Sequence, residues 1–293
     1  MDESQLTQIR RFNRVVTQRT GALEADYLRR GRPLAEARLI FEIGADGVDV
    51  RTLRLRLGLD SGYLSRLMRS LKAQGLIAVA NGGGDGRRRR ASLTRKGRAE
   101  RAAYDRLSDR LAASMLETLD EAARGRLVTA MGEVERLIRA ASVEVAAEAP
   151  ESADARRCLD AYFNELAARF EGGFDRAKDD SARANDMTPP SGLFVVARLD
   201  GEPVGCGGLK RSDKTTGEIK RVWTAPSARG VGVARRVLRA LEAAGRDMGI
   251  KTLRLGTNRA LTEAHALYRK EGFRAIARFN DNPYEHRWFE KRL

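Results

Sequence analysis

The chain has 293 residues, of which 42% are hydrophobic and 32% are charged, and its formal net charge is +15. That length is sufficient for two hydrophobic cores, because domains usually contain about 100 to 200 residues. We therefore expect two domains. The strong positive charge favours a polyanionic partner, such as nucleic acid, or an anionic small ligand.

Several classes of protein are excluded by composition. No apolar run approaches the ~18 residues of a membrane span, and the opening Met-Asp-Glu-Ser is unlike a signal peptide, so we expect a cytoplasmic protein with no membrane partner. The only cysteines are Cys158 and Cys206, and the only histidines are His265 and His286. These are too few for a disulfide framework or for metal-ligand spacing, and we expect no metal.

A basic segment lies between residues 51 and 101, where 14 Lys and Arg residues stand against three acidic ones. Within it, Asp49 can cap a helix that ends at Gly58, and a second helix is predicted from Ser61 to about Gln74. In the second helix, Leu64, Leu67, Met68 and Leu71 share one face and basic residues share the other. A run of charged residues alone is often only a solvent-exposed face. The order of the predicted helices and strands therefore has to decide whether this segment binds nucleic acid.

A β-hairpin with an arginine-rich tip is predicted next. Leu76 to Ala80 forms its first strand, residues 81–86 form a glycine-rich turn, and the second strand runs to Thr94. Two helices followed by such a hairpin are the order of a winged helix, whose second helix enters the major groove of DNA. The predicted DNA-binding residues are Ser61, Gly62, Ser65, Arg66, Arg69, Lys72, Asp85, Arg87, Arg88, Arg89 and Arg90.

Residues 5–140 resemble the MarR family of regulators. The resemblance rests on the helix from Asp60 to Leu76, the wing Asp85-Gly86-Arg87-Arg88-Arg89-Arg90 and the sequence Leu93-Thr94-Arg95-Lys96-Gly97 that follows it. It implies a homodimer that binds double-stranded DNA. Two apolar stripes, one beginning at Tyr104 and one at Leu127, agree with dimerisation through the last helices. A helical hairpin packed within one core is the alternative.

A second domain is predicted from residue 141, where the chain becomes acidic and rich in alanine. We therefore predict domains at 1–140 and 141–293. Its predicted elements are a strand at Val143 and Val145, a helix from Ala155 to Phe170, and strands at 193–199, 203–209 and 218–224.

A glycine-rich turn, residues 229–232, opens the next predicted helix. Glycines at a helix N-terminus let backbone amides approach a phosphate, whose charge the helix dipole favours. A dinucleotide-binding fingerprint is the main alternative, but it requires glycine where this chain has Arg235, and it does not follow antiparallel strands.

Residues 142–293 resemble the GNAT superfamily of N-acetyltransferases, through Arg229, Gly232 and Ala234 of its acetyl-CoA motif. The resemblance implies acetyl-CoA as cosubstrate, with its pantetheine arm on a bulged strand and its pyrophosphate on the amides of the turn. Where the family often has an asparagine, seven residues before Tyr268, this chain has Leu261, so Asn258 is the candidate substitute. The predicted cofactor-binding residues are Val222, Trp223, Thr224, Arg229, Gly230, Val231, Gly232, Val233, Ala234, Arg235 and Asn258.

Acyl transfer to an amine needs a base for the ammonium and an acid for the departing thiolate. From the positions that the family uses, Glu218 is the candidate base and Tyr268 the candidate acid. The alternatives are a solvated strand carboxylate and a core tyrosine. Phe174, Tyr284 and His286 are candidates for an acceptor pocket or for ordinary packing.

Together these patterns predict a mainly-α winged helix-turn-helix domain with a β wing, followed by an α/β domain with a mixed, mostly antiparallel sheet. The two resemblances imply a DNA-binding regulator that transfers an acetyl group from acetyl-CoA to a primary amine, with a small molecule favoured. In one alternative the second domain only senses acetyl-CoA. In another the protein docks on DNA and acetylates lysines of other proteins.

Overall fold

The computed structural model describes residues 2–81, 89–176 and 183–293. The chain divides into two compact units, residues 1–130 and 131–293. This division lies within a helix, Glu121–Ala141, so the predicted boundary after residue 140 stays a prediction. Across the described ranges, no helix has the length and apolar character needed to cross a bilayer.

The first unit is built from helices with a small sheet. Its helices are α1 (Glu3–Arg19), α2 (Leu34–Ile43), α3 (Val50–Leu57), α4 (Ser61–Ala73), α5 (Arg95–Leu116) and the beginning of α6 (Glu121–Ala141). Its strands are β1 (Val48–Asp49), β2 (Ile77–Asn81) and β3 (Arg89–Leu93), which form an antiparallel sheet in the order β1-β3-β2. The succession α3, α4, β2 and β3 confirms the predicted winged helix.

Local sequence signals fix α3 and α4. The Asp49 carboxylate accepts the backbone N–H of Arg51 at 2.8 Å, and Asp60 accepts that of Tyr63 at the same distance. Between them Gly58 ends α3 with a left-handed φ of 61°, which glycine adopts at little cost. The predicted apolar face of α4 is buried in the core of this unit: Leu64, Leu67, Met68 and Leu71.

A glycine also fixes the close of the wing. Thr94 caps α5 by accepting the N–H of Gly97 at 3.0 Å, and its hydroxyl donates to the carbonyl of Gly75 at 2.7 Å. A Cβ on Gly97 would overlap the carbonyl oxygen of Leu76. The first turn of α5 can therefore lie against the start of the hairpin only with glycine at this position.

The second unit is a single sheet with helices on both faces. Its strands are β4 (Glu144–Ala147), β5 (Gly192–Leu199), β6 (Glu202–Arg211), β7 (Thr216–Thr224), β8 (Thr252–Thr257), β9 (Arg274–Ile276) and β10 (Arg287–Arg292), in the order β4-β5-β6-β7-β8-β10-β9. The pairing of β7 with β8 is parallel, and the other pairs among these strands are antiparallel. This confirms the predicted mixed, mostly antiparallel sheet.

The helices of this unit are α7 (Ala153–Arg169), α8 (Val233–Asp247) and α9 (Thr262–Lys270). Strand β5 alternates between two cores, as expected of a strand buried on both faces. Val195 and Ala197 share one core with Val237, Leu238 and Leu241 of α8. Phe194 and Val196 share the other with Ala155, Cys158 and Phe163 of α7.

The sheet opens between β7 and β8. In the described strands their pairing covers only Thr216–Glu218 against Thr252–Arg254. Farther along β7, the register against β6 shifts, and Arg221 has a φ of 56°, which is unusual for a residue other than glycine. These are the features of a β-bulge, which bends one strand away from its neighbour. The opening places the ends of β7 and β8 on either side of a gap.

Candidate functional site

The turn before α8 presents backbone amides to an open space. Gly230 and Gly232 have φ values of 78° and 85°, a conformation that residues with a Cβ rarely adopt, and a Cβ at either position would meet no atom within 4 Å. Helix α8 begins at Val233 without a side-chain cap. The first amides of a helix have no partner within it, so they are available to an anion.

A cleft of about 720 Å³ lies at this turn, and we call it the large cleft. Its volume is typical of ligand-binding sites. Nine of the predicted cofactor residues line it: Val222, Trp223, Thr224, Arg229, Gly230, Gly232, Val233, Ala234 and Arg235. The side chain of Val231 is instead buried in the core beside α8. The residues present therefore fit a long ligand that ends in phosphates.

A carboxylate beside the turn was missed by sequence reasoning. Glu165 of α7 forms an ion pair with Arg229 at 2.6 Å, accepts the indole N–H of Trp223 at 2.9 Å and contacts Arg169 at 3.1 Å. Burial alone would raise the pKa of Glu165, but hydrogen bonds from Trp223, Arg169 and Arg229 lower it below its ordinary value. The carboxylate is therefore charged. In the sequence, the only signal for such a role of Glu165 was its position on one face of α7.

A smaller cavity of about 80 Å³, the aromatic cavity, adjoins the large cleft. Tyr162, Phe170, Phe174 and Tyr284 line it together with Lys220, Asn258 and Glu285. The two cavities share six lining residues: Tyr162, Leu166, Val222, Leu261, Ala264 and Tyr268. Groups held in the two cavities would meet at Tyr268 and Val222.

Tyr268 is both a core residue and a cavity residue. Its ring packs near Phe273 and Phe289, with centroids 6.0 and 5.8 Å away. Burial raises the pKa of its hydroxyl well above the ordinary value, and the nearby charge of Glu285 raises it further. The hydroxyl therefore holds its proton at neutral pH, as a general acid must.

Glu218 belongs to a buried charged cluster next to the aromatic cavity. Lys220 Nζ lies 2.6 Å from Glu218 Oε1 and 2.9 Å from Glu285 Oε1. Burial would lower the pKa of Lys220, but the charges of Glu218 and Glu285 raise it above the ordinary value, so the ammonium remains charged. Lys220 and Glu285 line the cavity, whereas Glu218 does not.

Asn258 lines the aromatic cavity, and its side-chain amide forms hydrogen bonds with backbone groups. Its amide nitrogen donates to the carbonyl of Tyr284 at 2.8 Å, and its amide oxygen accepts the N–H of Ala260 at 2.9 Å. Asn258 does not line the large cleft, and of the other predicted cofactor residues Val222 shares the aromatic cavity with it. Phe174 and Tyr284 line the aromatic cavity, with ring centroids 4.6 Å apart, and His286 does not line it.

In the first unit, α4 presents an exposed polar face. Six of the predicted DNA-binding residues are exposed on it: Ser61, Gly62, Ser65, Arg66, Arg69 and Lys72. Of the wing residues, Arg89 and Arg90 are exposed on β3, and Arg90 donates to the carbonyl of Asp46 at 2.7 Å. Asp85, Arg87 and Arg88 lie outside the described residues.

Comparisons with known proteins match two parts of the chain to different families. Residues 159–273 match the acetyltransferase (GNAT) family, and residues 30–88 match the MarR family. The chain is 39% identical over 88 residues to the IAA acetyltransferase of Azospirillum brasilense, covering 30% of this chain and 58% of that protein. It is 38% identical over 91 residues to the uncharacterized N-acetyltransferase YjgM of Escherichia coli (strain K12), covering 30% of this chain and 54% of that protein.

A third relative is matched over more of its length. The uncharacterized N-acetyltransferase YedL of Escherichia coli (strain K12) is 38% identical over 121 residues, which are 40% of this chain and 76% of that protein. The fold and the glycine turn before α8 define an acetyltransferase-type domain that follows a winged helix in the chain. The chain belongs to the GNAT family of acetyltransferases, and a segment before that domain matches the MarR family. It spans little more than half of the first two relatives.

Proposed function

We propose that the protein transfers an acetyl group from acetyl-CoA to a primary amine, with a small molecule as the favoured acceptor. The carrying observation is the junction at Tyr268, where a cleft with an anion-binding helix terminus adjoins a cavity that contains a carboxylate. Backbone amides at Gly232 and Val233 would hold the pyrophosphate, and the strand opening beside Val222 would take the pantetheine arm.

Tyr268 is proposed as the general acid that protonates the departing thiolate. Its buried, protonated hydroxyl and its place on both cavities support this role. Glu218 was the candidate base from sequence. Since Glu218 does not line the aromatic cavity, whereas its ion-pair partner Lys220 does, we propose instead that Glu218 keeps Lys220 charged and in place.

The test is an acetyl-transfer assay on the purified full chain with a panel of amines and a lysine-containing peptide. Release of CoA together with an acetylated product of the expected mass would support the proposal. Binding of acetyl-CoA without transfer to any acceptor would instead support the sensing alternative. Transfer to the peptide alone would support protein acetylation.

We also propose that the first unit binds double-stranded DNA through α4 and the wing. The exposed basic side chains of Arg66, Arg69 and Lys72 support this, because phosphate contacts supply most of the affinity of such proteins. Fluorescence anisotropy with a labelled duplex at several salt concentrations measures it. Affinity that does not depend on salt would contradict phosphate contacts.

A homodimer is proposed from exposed apolar side chains on two helices. On α1, Ile9 is 57% exposed and Val15 is 51% exposed, and on α6 Val128 and Ile138 are 56% and 59% exposed. Several large apolar side chains exposed on one helix are a feature of surfaces that a partner covers. Sedimentation should give a dimer for the parent protein and a monomer for Ile9→Asp combined with Ile138→Asp. A monomeric parent protein would contradict the proposal.

A further inference from the structure

A buried charged cluster adjoins the aromatic cavity and contributes Lys220 and Glu285 to its lining. Glu218, Lys220 and Glu285 form a cluster with two carboxylates and one ammonium. The second carboxylate oxygen of Glu285, Oε2, accepts the amide of Asn280 at 2.7 Å, which is a neutral donor. Within this cluster Lys220 balances one of the two carboxylates, and Arg221 is a second cation of the cavity lining. Glu285 is the carboxylate that lines the cavity.

The cavity lining is also aromatic. Tyr284 lies with its ring centroid 4.6 Å from that of Phe174 and 6.1 Å from that of Phe170, and Phe170 and Phe174 are 5.9 Å apart. Such walls bind flat apolar groups and also attract cations. Each non-hydrogen atom, counted as one water-sized group, takes about 10 to 15 Å³. The cavity volume of about 80 Å³ therefore has room for roughly five to eight such atoms. An aromatic ring with one or two methylene carbons therefore fits, and the amine nitrogen of such an acceptor would lie at the junction with the large cleft.

Glycine at position 256 allows the carboxylate of Glu285 to lie where it does. A Cβ on Gly256 of β8 would overlap the Glu285 carboxylate. The same segment is fixed by the N–H of His286, which donates to the carbonyl of Thr257 at 2.8 Å. The carboxylate is thus held against the backbone at the strand opening rather than in solvent.

We propose that Glu285 binds the ammonium group of the acceptor and takes its proton, and that Phe170, Phe174 and Tyr284 contact an aromatic body. The preferred acceptor is then a small arylalkyl primary amine without a carboxylate of its own. This inference rests on the acetyl transfer proposed above. When the ammonium is bound by Glu285, an α-carboxylate next to that ammonium is disfavoured because it would approach the carboxylate of Glu285.

The acetyl transfer balances in protons and electrons. Glu285 takes one proton from the ammonium, and the nitrogen lone pair attacks the thioester carbonyl carbon. The C–N bond forms and the C–S bond breaks, and the thiolate takes the hydroxyl proton of Tyr268. The second proton of the attacking nitrogen restores the Tyr268 hydroxyl, and Glu285 gives its proton to solvent. The products are the N-acetylamine and CoA.

The experiment compares acceptors and variants of the full chain. With acetyl-CoA saturating, kcat/KM is measured for 2-phenylethylamine, phenylalanine and putrescine. We expect 2-phenylethylamine to exceed each of the others by at least about 10-fold. Glu285→Gln should lower kcat/KM for 2-phenylethylamine by roughly 100-fold, the size expected for removal of a general base, while the Kd of acetyl-CoA stays within about 2-fold. Glu285→Asp should recover part of the activity.

Two further variants separate catalysis from folding. Gly256→Ala keeps the charge of Glu285 but displaces its carboxylate, and it should also lower kcat/KM. Glu290→Gln is the matched control, because Glu290 pairs with Arg254 and Arg274 on the neighbouring strands and does not line either cavity. It should leave kcat/KM unchanged.

The pH profile provides a readout that a merely structural role would not move. The titratable or charged groups facing Glu285 are Lys220 and Glu218 from β7 and Tyr268 from α9, and Arg221 lines the same cavity. The acidic limb of kcat/KM should be present in the parent protein and absent in Glu285→Gln. Unchanged activity and an unchanged profile in that variant would overturn the inference alone, whereas no transfer to any amine would overturn the proposed function.

Discussion

One guanidinium nitrogen of Arg229 lies 2.6 Å from both carboxylate oxygens of Glu165. The ion pair keeps the negatively charged carboxylate of Glu165 beside the turn that is expected to bind the pyrophosphate. Replacing Glu165 with glutamine should therefore tighten acetyl-CoA binding, because Arg229 is released and the repulsion is removed. Since Arg229 is 44% exposed, we expect only about 3- to 10-fold, near 1 kcal/mol.

Isothermal titration calorimetry at low and high salt measures this effect, which should shrink as salt screens the charges. Asp160→Asn on the same helix is the control, because Asp160 pairs with Arg176 and does not line the large cleft. Weaker binding in Glu165→Gln would show that the ion pair orients Arg229 for the ligand.

Gly232→Trp should abolish acetyl-CoA binding and leave DNA binding intact. The left-handed φ of 85° is costly for any residue with a Cβ, and the indole would occupy the open space in front of the amides of α8. Calorimetry with acetyl-CoA and anisotropy with duplex DNA give the two readouts. Unchanged cofactor affinity would contradict phosphate binding at this turn.

Tyr268→Phe should lower kcat by roughly 10- to 1000-fold with little change in acetyl-CoA affinity, if the hydroxyl is the general acid. The ring contacts with Phe273 and Phe289 are kept, so the free energy of unfolding should change little. Steady-state kinetics and thermal unfolding distinguish the two effects. A parental kcat would make Tyr268 a core residue only.

Glu100 should make the first unit sensitive to acid. Hydrogen bonds and charge from Arg30 and Arg32, both with nitrogens 2.7 Å from Glu100, lower its pKa below the ordinary 4.5. A carboxyl whose pKa is lower in the folded state contributes stability above about pH 4.5, and that contribution disappears as the pH falls through the folded-state pKa. Glu100→Gln should cost about 1 to 2 kcal/mol at pH 7 and less at pH 3, where part of the contribution has been lost. Thermal unfolding at both pH values measures the difference.

The basic residues of the wing and those of α4 should have different effects on DNA binding. Replacing Arg87, Arg88, Arg89 and Arg90 with alanine should flatten the dependence of log affinity on log salt by about 0.9 for each phosphate that is no longer neutralised. Arg66→Ala or Arg69→Ala on α4 should instead change sequence preference by ~1 to 3 kcal/mol for each base-edge hydrogen bond removed. Salt titrations on a selected site and on random duplex compare them. An unaltered slope in the wing variant would show that its arginines form a solvated face.

Local features of this protein were predictable from the sequence. Asp60 caps α4, Gly58 ends α3, and the apolar residues of α4 recur with the period of a helix, so each signal lies within one or two turns of what it determines. The glycine turn before α8 is equally local, because Gly230 and Gly232 adopt conformations that glycine favours.

The charged cluster next to the aromatic cavity is determined only by the tertiary structure. Lys220 and Glu285 are 65 residues apart, and Glu165 lies 64 residues before Arg229. Glu218 and Lys220 are two residues apart on β7, so the sequence predicts that they share one face of the strand. That spacing does not show which carboxylate reaches the cavity. That choice depends on the opening between β7 and β8 and on the absence of a Cβ at Gly256. Both are relationships between distant segments, whose side chains meet only after the sheet has assembled.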